Sequence, residues 1–431
     1  MTRHLIRLRE WERVRIGEGH LTPTRADALL AAARASDLGG EEGTRILVHA
    51  GSQIATRQVV GLISAGDCQL EILPKIDGVE SDAGVRDRLV HMLAEVYDLP
   101  VATGAAAALG EQNDTLLERL IRLFADRLID AARAGLPRRY QQREEDLPTL
   151  RGRLAIMRQF TALATDPTRL ACRYDELSRD IPLNRIMKAA VTRLRALARG
   201  AETQRRLGEL AFAYDDVASI GRRSLPWSQL HLDRSDRRWR PLIDLARLLL
   251  GDRFQTTSAG KEEGTALLFE MHVLFEAYIA RVLARELLGT GLRVVAQGGL
   301  RFCLTELDGD GRLGKDRFQT RPDILIKRGE VVVAIIDTKW KRLSPRIDDA
   351  KQGVSQVDVY QMIAYGRLYD CSNLILLYPW HSEIDADDEP QRYAVRGGSD
   401  TLSIVTVDVA RSGREAGRQV AAALTALDIG N

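Results

Sequence analysis

The clearest pattern in the chain is an apolar run near its last third. Val331, Val332, Val333, Ile335 and Ile336 are β-branched and follow Gly329, so they predict a buried strand. The run ends in Asp337-Thr338-Lys339, and a shorter apolar run before it opens with Arg321-Pro322-Asp323. Side chains alternate along a strand, so Asp337 and Lys339 share a face and Thr338 points away. Downstream, Ser355 to Tyr369 predicts an amphipathic helix through Val357, Tyr360, Met362, Ile363, Leu368 and Tyr369. Upstream, Leu267 to Leu288 predicts a long apolar helix containing Glu270 and Glu276. Asn373–Tyr378 and Leu402–Val407 predict further strands, with the acidic Glu383–Glu389 segment as a loop between them. This alternation predicts an α/β domain over residues 261–431, a central mixed sheet flanked by helices.

The rest of the chain divides differently. Residues 1–100 predict a β-rich module, with strands at Arg45–Ala50, Val59–Ser64 and Gln69–Ile76 and a helix at Thr24–Ser36. Residues 101–260 predict a mainly helical middle region, with helices at Thr115–Ala134, Asn184–Arg199 and Leu242–Leu250. Between them, Pro137–Arg153 and Gly221–Arg240 predict Arg-rich loops.

An apolar strand ending in a carboxylate and an amine on one face needs compensation for both charges. A divalent cation and a phosphate would supply it. Hard cations such as Mg²⁺ take oxygen ligands and keep several waters, so Asp323 and Asp337 would suffice as protein ligands. Lys339 would orient water or neutralise charge on the phosphate. Of the 62 Lys and Arg residues only eight are lysines, and Lys315, Lys327, Lys339, Lys341 and Lys351 cluster in this stretch. An ammonium kept against such an Arg bias is not interchangeable with a guanidinium. Gln361 and Tyr365 stand four apart on the following helix and share a face toward a phosphate or a water. For Glu276 two readings stand: an inward third carboxylate, or a solvated charge on the helix face. The second Arg-rich stretch holds Arg222, Arg223, Arg234, Arg237, Arg238 and Arg240 with Trp227 and Trp239. It reads as a nucleic-acid grip, as an arginine offered to a partner's nucleotide site, or, given Asp233 and Asp236, as an ordinary solvated loop.

Several longer stretches, in order, resemble one family: "LEILPKI" at Leu70–Ile76, "LRGRL" at Leu150–Leu154, "YDELSRDIPLNRIMKAA" at Tyr174–Ala190, "LFEMHVLFEAYI" at Leu268–Ile279 and "DVYQMIAYG" at Asp358–Gly366. They are similar to the McrC family, the nuclease subunit of McrBC modification-dependent restriction systems, of the PD-(D/E)XK superfamily. The resemblance implies a carboxy-terminal endonuclease domain that cuts double-stranded DNA with Mg²⁺, or Mn²⁺ in its place. It implies that the other regions dock on and stimulate a hexameric AAA+ GTPase or ATPase of McrB type. It carries the metal ligands onto Asp323, Asp337 and Glu276, and further catalytic roles onto Lys339, Gln361 and Tyr365. A small polar amide would be expected at His272; a His272–Glu276 metal pair at helical spacing is one reading there, and a packed or solvated histidine the other.

Composition narrows the alternatives. With 45% hydrophobic and 28% charged residues the chain has a globular composition, and 431 residues predict two or three domains. The formal charge of +2 gives no global basic field, so DNA binding rests on local patches or a partner. Cys68, Cys172, Cys303 and Cys371 lie far apart without a C-x-x-C, which points to a reducing cytoplasm. No apolar stretch approaches the roughly 18 residues of a membrane span. There is no G-x-x-x-x-G-K-[ST], so nucleotide hydrolysis belongs to a partner. Two rivals to the nuclease remain: a non-catalytic activator of an AAA+ motor, and a stand-alone DNA repair exonuclease.

Overall fold

Residues from either side of the middle region meet in one sheet, and a glycine makes the meeting close. In a computed structural model the described residues are 4–18, 21–36, 38, 44–99, 114–221, 224–250, 254–259, 262–343, 353–384, 390–427 and 429. The amino-terminal part forms β1 (His4–Arg9), β2 (Arg13–Arg15), α1 (Pro23–Arg34), β3 (Leu47–Ala50), β4 (Gln53–Thr56), β5 (Val59–Ala65), β6 (Cys68–Leu73) and α2 (Asp82–Val96). The middle forms α3 (Leu116–Arg133), β7 (Arg139–Leu147), β8 (Arg153–Leu154), α4 (Ile156–Phe160), β9 (Leu170–Ser178), α5 (Pro182–Leu197), α6 (Ala201–Ala213) and α7 (Arg240–Leu250). The last part begins with β10 (Phe254–Ala259), β11 (Glu262–Glu270), α8 (Met271–Glu286), β12 (Leu292–Ala296), β13 (Phe302–Leu307) and β14 (Leu313–Gln319). It continues with β15 (Ile324–Arg328), β16 (Val331–Thr338), α9 (Gln356–Tyr369), β17 (Asn373–Pro379), β18 (Gln391–Ala394), β19 (Thr401–Val407) and α10 (Gly413–Ala426).

The chain forms two compact units: Met1–Leu117 with Gln255–Asn431, and Glu118–Phe254. The first and last of the three expected segments therefore fold together. They are joined by a five-stranded sheet in the order β1-β6-β5-β11-β10. Gly61 lies opposite Leu268 in the antiparallel β5–β11 pair. Its φ is +136°, and a Cβ there would stand 2.0 Å from the Leu267 carbonyl oxygen, so only glycine fits.

The same unit holds a six-stranded sheet ordered β12-β15-β16-β17-β19-β18. Gly329, with φ at +59°, turns β15 back into β16. β16 then runs parallel to β17 and β17 parallel to β19. Parallel neighbours need a crossover, and α9 supplies it between β16 and β17. Its Met362, Tyr365 and Tyr369 pack over Leu325, Ile335, Leu374 and Leu376 of the sheet. β16 and β17 are buried along nearly their whole length, which explains their unbroken apolar sequence. Helix α8 packs against α2 and α10.

Three sequence expectations need correction. Residues 267–270 continue β11, and the helix begins only at Met271, with Glu270 as its N-cap. A short apolar run flowing into a helix carries no signal for where the strand stops. The Pro137–Arg153 stretch is not a loop: it contains β7, which pairs with β9 from Arg139↔Ser178 to Leu147↔Leu170. The Gly221–Arg240 stretch contains a 3-10 turn, Arg234–Trp239, whose Asp233 and Asp236 form a capping box.

Replacing Gly61 by alanine forces β5 away from β11. The expected loss is about 1–3 kcal/mol of stability, measured as a lowered denaturant midpoint. An unchanged midpoint would show that the two strands do not approach this closely.

Candidate active site

Strand register draws two aspartates together. In the β15–β16 hairpin Ile324 pairs with Ile336, and Leu325 with Ile335. One further step along this register sets Asp323 opposite Asp337. Residues directly opposed on an antiparallel pair have Cβ atoms about 5 Å apart. Asp323 Oδ2 accepts two hydrogen bonds at 2.8 Å, from the backbone N and the Oγ1 of Thr338. Alternation predicts that Thr338 points away from Asp337 and Lys339, yet Thr338 lines the same cavity and its hydroxyl orients Asp323.

Asp337 and Lys339 share a face as expected. Lys339 Nζ lies 2.5 Å from Asp337 Oδ2 and 3.6 Å from Asp358 Oδ1. Asp358 also holds Lys341 Nζ at 2.5 Å. Glu276, Asp323, Asp337, Lys339 and Gln361 line one cavity of about 720 Å³. Tyr365 is not part of the lining; it sits in the core and accepts a hydrogen bond from Gln361 Nε2 at 2.8 Å. Glu276 is buried, so its charge is not a solvated one on the helix face. His272 lines the same cavity from the same helix.

The amino-terminal strands complete the cavity, which the sequence did not suggest. Trp340, the residue after Lys339, donates from its indole to Glu10 Oε1 at 2.8 Å. The backbone N of Lys75 donates to the same oxygen at 3.0 Å. Gln58 Nε2 donates to the Trp340 carbonyl at 3.0 Å, and the Trp340 ring packs on Phe275 with centroids 5.2 Å apart. Arg342 Nε bonds Asp77 Oδ2 at 3.0 Å. Partners 330 residues apart leave no local signal in a sequence. Asp358 did leave one: it stands three residues before Gln361 and seven before Tyr365, on one face of α9. Gln297 left none; its backbone N bonds the Asp323 carbonyl at 2.7 Å, and its side chain bonds Glu276.

The electrostatics show an excess of buried negative charge. Burial, and then the Asp323 carboxylate, push Asp337 up to about 6, against the opposing pull of Lys339. Burial, and then the charge of Asp323, push Glu276 up to about 7, with the Gln297 hydrogen bond opposing. Burial disfavours the charged form of Lys339, yet the Asp337 carboxylate outweighs it and raises the ammonium above its ordinary value. Among the described residues no three His, Cys, Asp or Glu side chains stand together so as to hold an ion, so Glu276 does not close a ready cage with the aspartates. Two facing carboxylates are still a sufficient protein share for a hard cation that keeps its waters. A cation would also relieve the repulsion from Asp323 that helps drive Asp337 and Glu276 toward neutrality. On that ground the donor set fits Mg²⁺.

Arg237 and Arg238 belong to the second compact unit, on the 3-10 turn. Arg237 is exposed; Arg238 donates to the Gly135 carbonyl at 3.1 Å, with its guanidinium 5.9 Å from the centre of the Trp239 ring. Arg222 and Arg223 lie outside the described residues.

Comparison with known proteins gives a consistent picture. A family model described as "McrBC 5-methylcytosine restriction system component" matches residues 54–379. The fold is similar to a refined half-complex from a tetradecameric assembly of Thermococcus gammatolerans McrB AAA+ hexamers with bound McrC. That likeness has a TM-score of 0.73 and 21% identity, and covers 98% of this chain and 100% of the other. A second similar structure is the cryo-EM structure of the T. gammatolerans McrBC complex, with a TM-score of 0.53 and 25% identity over 66% of this chain and 88% of the other. The comparison with curated proteins returned no match. Among the described residues no helix is long and apolar enough to cross a membrane.

The raised Glu276 carboxyl gives a pH test. A carboxyl raised in the folded state contributes its stability below its ordinary value of 4.5 and loses it as pH climbs through about 7. Without divalent ions, Glu276→Gln should therefore gain about 1–3 kcal/mol over the parent at pH 8 and nothing at pH 4. Paired denaturation curves at the two pH values check this. A gain independent of pH would contradict it.

Proposed function

Because the chain belongs to the family of McrBC 5-methylcytosine restriction system components, we propose that it is the nuclease subunit of such a system, a Mg²⁺-dependent endonuclease that docks on a hexameric AAA+ partner of McrB type. The observation that carries the reading is the Asp337–Lys339 ion pair opposite Asp323, at the end of a buried strand and inside a large cavity. Asp323 and Asp337 would hold the cation, with Glu276 near. When bound, the cation supplies positive charge to the scissile phosphate and lowers the pKa of water.

This chain's own residues do the rest. Thr338 fixes Asp323 through two hydrogen bonds, so that carboxylate keeps its orientation when substrate enters. Lys339 is kept cationic by Asp337 and Asp358, which suits it to stabilise charge that builds on the phosphate. Gln361, oriented by Tyr365, offers an amide to a phosphate oxygen or a water. Glu276, held near neutral pH, is able to take up or release a proton at the working pH of such an enzyme.

Docking on a partner has separate support. The residues that line the cavity belong to the other compact unit, Met1–Leu117 with Gln255–Asn431. Both similar structures from T. gammatolerans are of McrC with McrB. Stimulating an AAA+ motor that reads the modified DNA is the task we assign to the unit Glu118–Phe254. The activator reading and the nuclease reading then describe two parts of one chain.

With the partner present, Asp337→Ala or Lys339→Ala should lower cleavage of 5-methylcytosine DNA by about 10²–10³-fold. Both variants should still stimulate nucleotide hydrolysis by the partner. Undiminished cleavage by both would remove the nuclease assignment.

A further inference from the structure

The cavity is lined by four lysine and arginine side chains: Lys75, Lys339, Lys341 and Arg342. Three of them are committed to carboxylates: Lys339 to Asp337, Lys341 to Asp358 and Arg342 to Asp77. Lys75 is exposed, and its ammonium makes no close ion pair among the described residues, though its charge acts on the Glu10 carboxylate. Its backbone is nevertheless fixed, because its N–H bonds the buried Glu10 carboxylate that also receives the Trp340 indole. A lone cation is thus held at a set place beside the strand end that carries Lys339.

The residue next to Glu10 is unusual for a different reason. Trp11 has φ at +64°, a left-handed conformation that costs a bulky side chain free energy. Trp11 is 51% exposed, so burial does little to compensate for that cost. Arg57 lies over the ring, its guanidinium carbon 5.6 Å from the centroid. Strain held without packing gain is characteristic of sites that bind something. Trp11 also lines the cavity. An exposed indole backed by a guanidinium and neighboured by an unpaired ammonium is a combination that takes single nucleotides: the ring stacks under a base, and the cations meet phosphates.

We infer that Trp11, Lys75 and Arg57 form a nucleotide grip on the amino-terminal strands. It holds the DNA strand beside the scissile phosphate, Trp11 under a base and Lys75 on a backbone phosphate. The inference rests on the nuclease reading of the cavity and adds to it a specific substrate contact from outside the catalytic strands.

The test is cross-linking, which does not require cleavage. The full chain carrying Asp337→Asn, assembled with its AAA+ partner, is irradiated with a 5-methylcytosine duplex bearing 5-iodouracil at successive positions. The cross-linked peptide is identified by mass spectrometry. The expected result is a cross-link to the peptide containing Trp11, from nucleotides next to the cleavage position mapped with the Asp337 parent. Trp11→Asn removes the ring while suiting the left-handed backbone, so it should fold at least as well as the parent and lose that cross-link. In the parent background, Trp11→Asn and Lys75→Gln should each lower kcat/KM about tenfold, mainly through KM. Lys75→Gln should also reduce the salt dependence of KM by about one phosphate contact. Trp11→Phe should retain most of the activity.

Cross-links confined to other peptides would overturn the inference, as would unchanged kcat/KM in both variants. Failure of the nuclease reading is separate: it would appear as full cleavage by the Asp337→Ala protein.

Discussion

Two carboxylates opposed across the end of a β-hairpin, in a place water reaches poorly, set the terms for the rest of this site. The β15–β16 register puts Asp323 against Asp337, and burial raises the cost of charging Asp337. A fold keeps such a repulsion only where something offsets it. Thr338 offsets part with two hydrogen bonds to Asp323, and Lys339 offsets part with an ion pair to Asp337. The remainder is seen in Asp337 and Glu276, both displaced toward neutrality. A divalent cation with its own waters is the simplest species to complete the balance.

The surrounding structure holds that strand end still. On one side α9 packs over β16 and β17 and brings Gln361 to the cavity, and Asp358 to the ammonium groups of Lys339 and Lys341. On another, the residues just after Lys339 are bound to the amino-terminal strands through Glu10, Gln58 and Asp77. The β5–β11 contact at Gly61 joins those strands to the segment leading into α8, and so to Glu276. Catalytic side chains must be held to within fractions of an ångström, and rigid elements bound at both ends do this better than loops.

Much of the site was legible because its chemistry conflicts with its surroundings. Aspartate and lysine closing a run of valine and isoleucine are conspicuous in a sequence, and period-two alternation is enough to set Asp337 and Lys339 on one face. The mixed sheet and its crossover helix followed from apolar runs of strand length alternating with a helical period. What the sequence withheld was of two kinds. Strand Glu262–Glu270 runs without a break into Met271–Glu286, and a continuous apolar run does not mark its own change of conformation. The cavity wall from Glu10, Trp11 and Lys75 depends on contacts across most of the chain, and no local pattern encodes them. Strand Arg139–Leu147 was hidden for a third reason: its charged side chains are largely exposed and pair with those of Leu170–Ser178, so it lacks an apolar alternation.

The most direct test is to locate the ion. Crystals of the protein grown or soaked with Mn²⁺ in place of Mg²⁺, measured at the manganese absorption edge, report its position without reference to activity. The expected result is an anomalous peak between the carboxylates of Asp323 and Asp337, absent from crystals of Asp323→Asn. A map with no peak there at Mn²⁺ concentrations that support cleavage, or with its only peak elsewhere, would contradict the assignment of these two aspartates as the metal-holding pair.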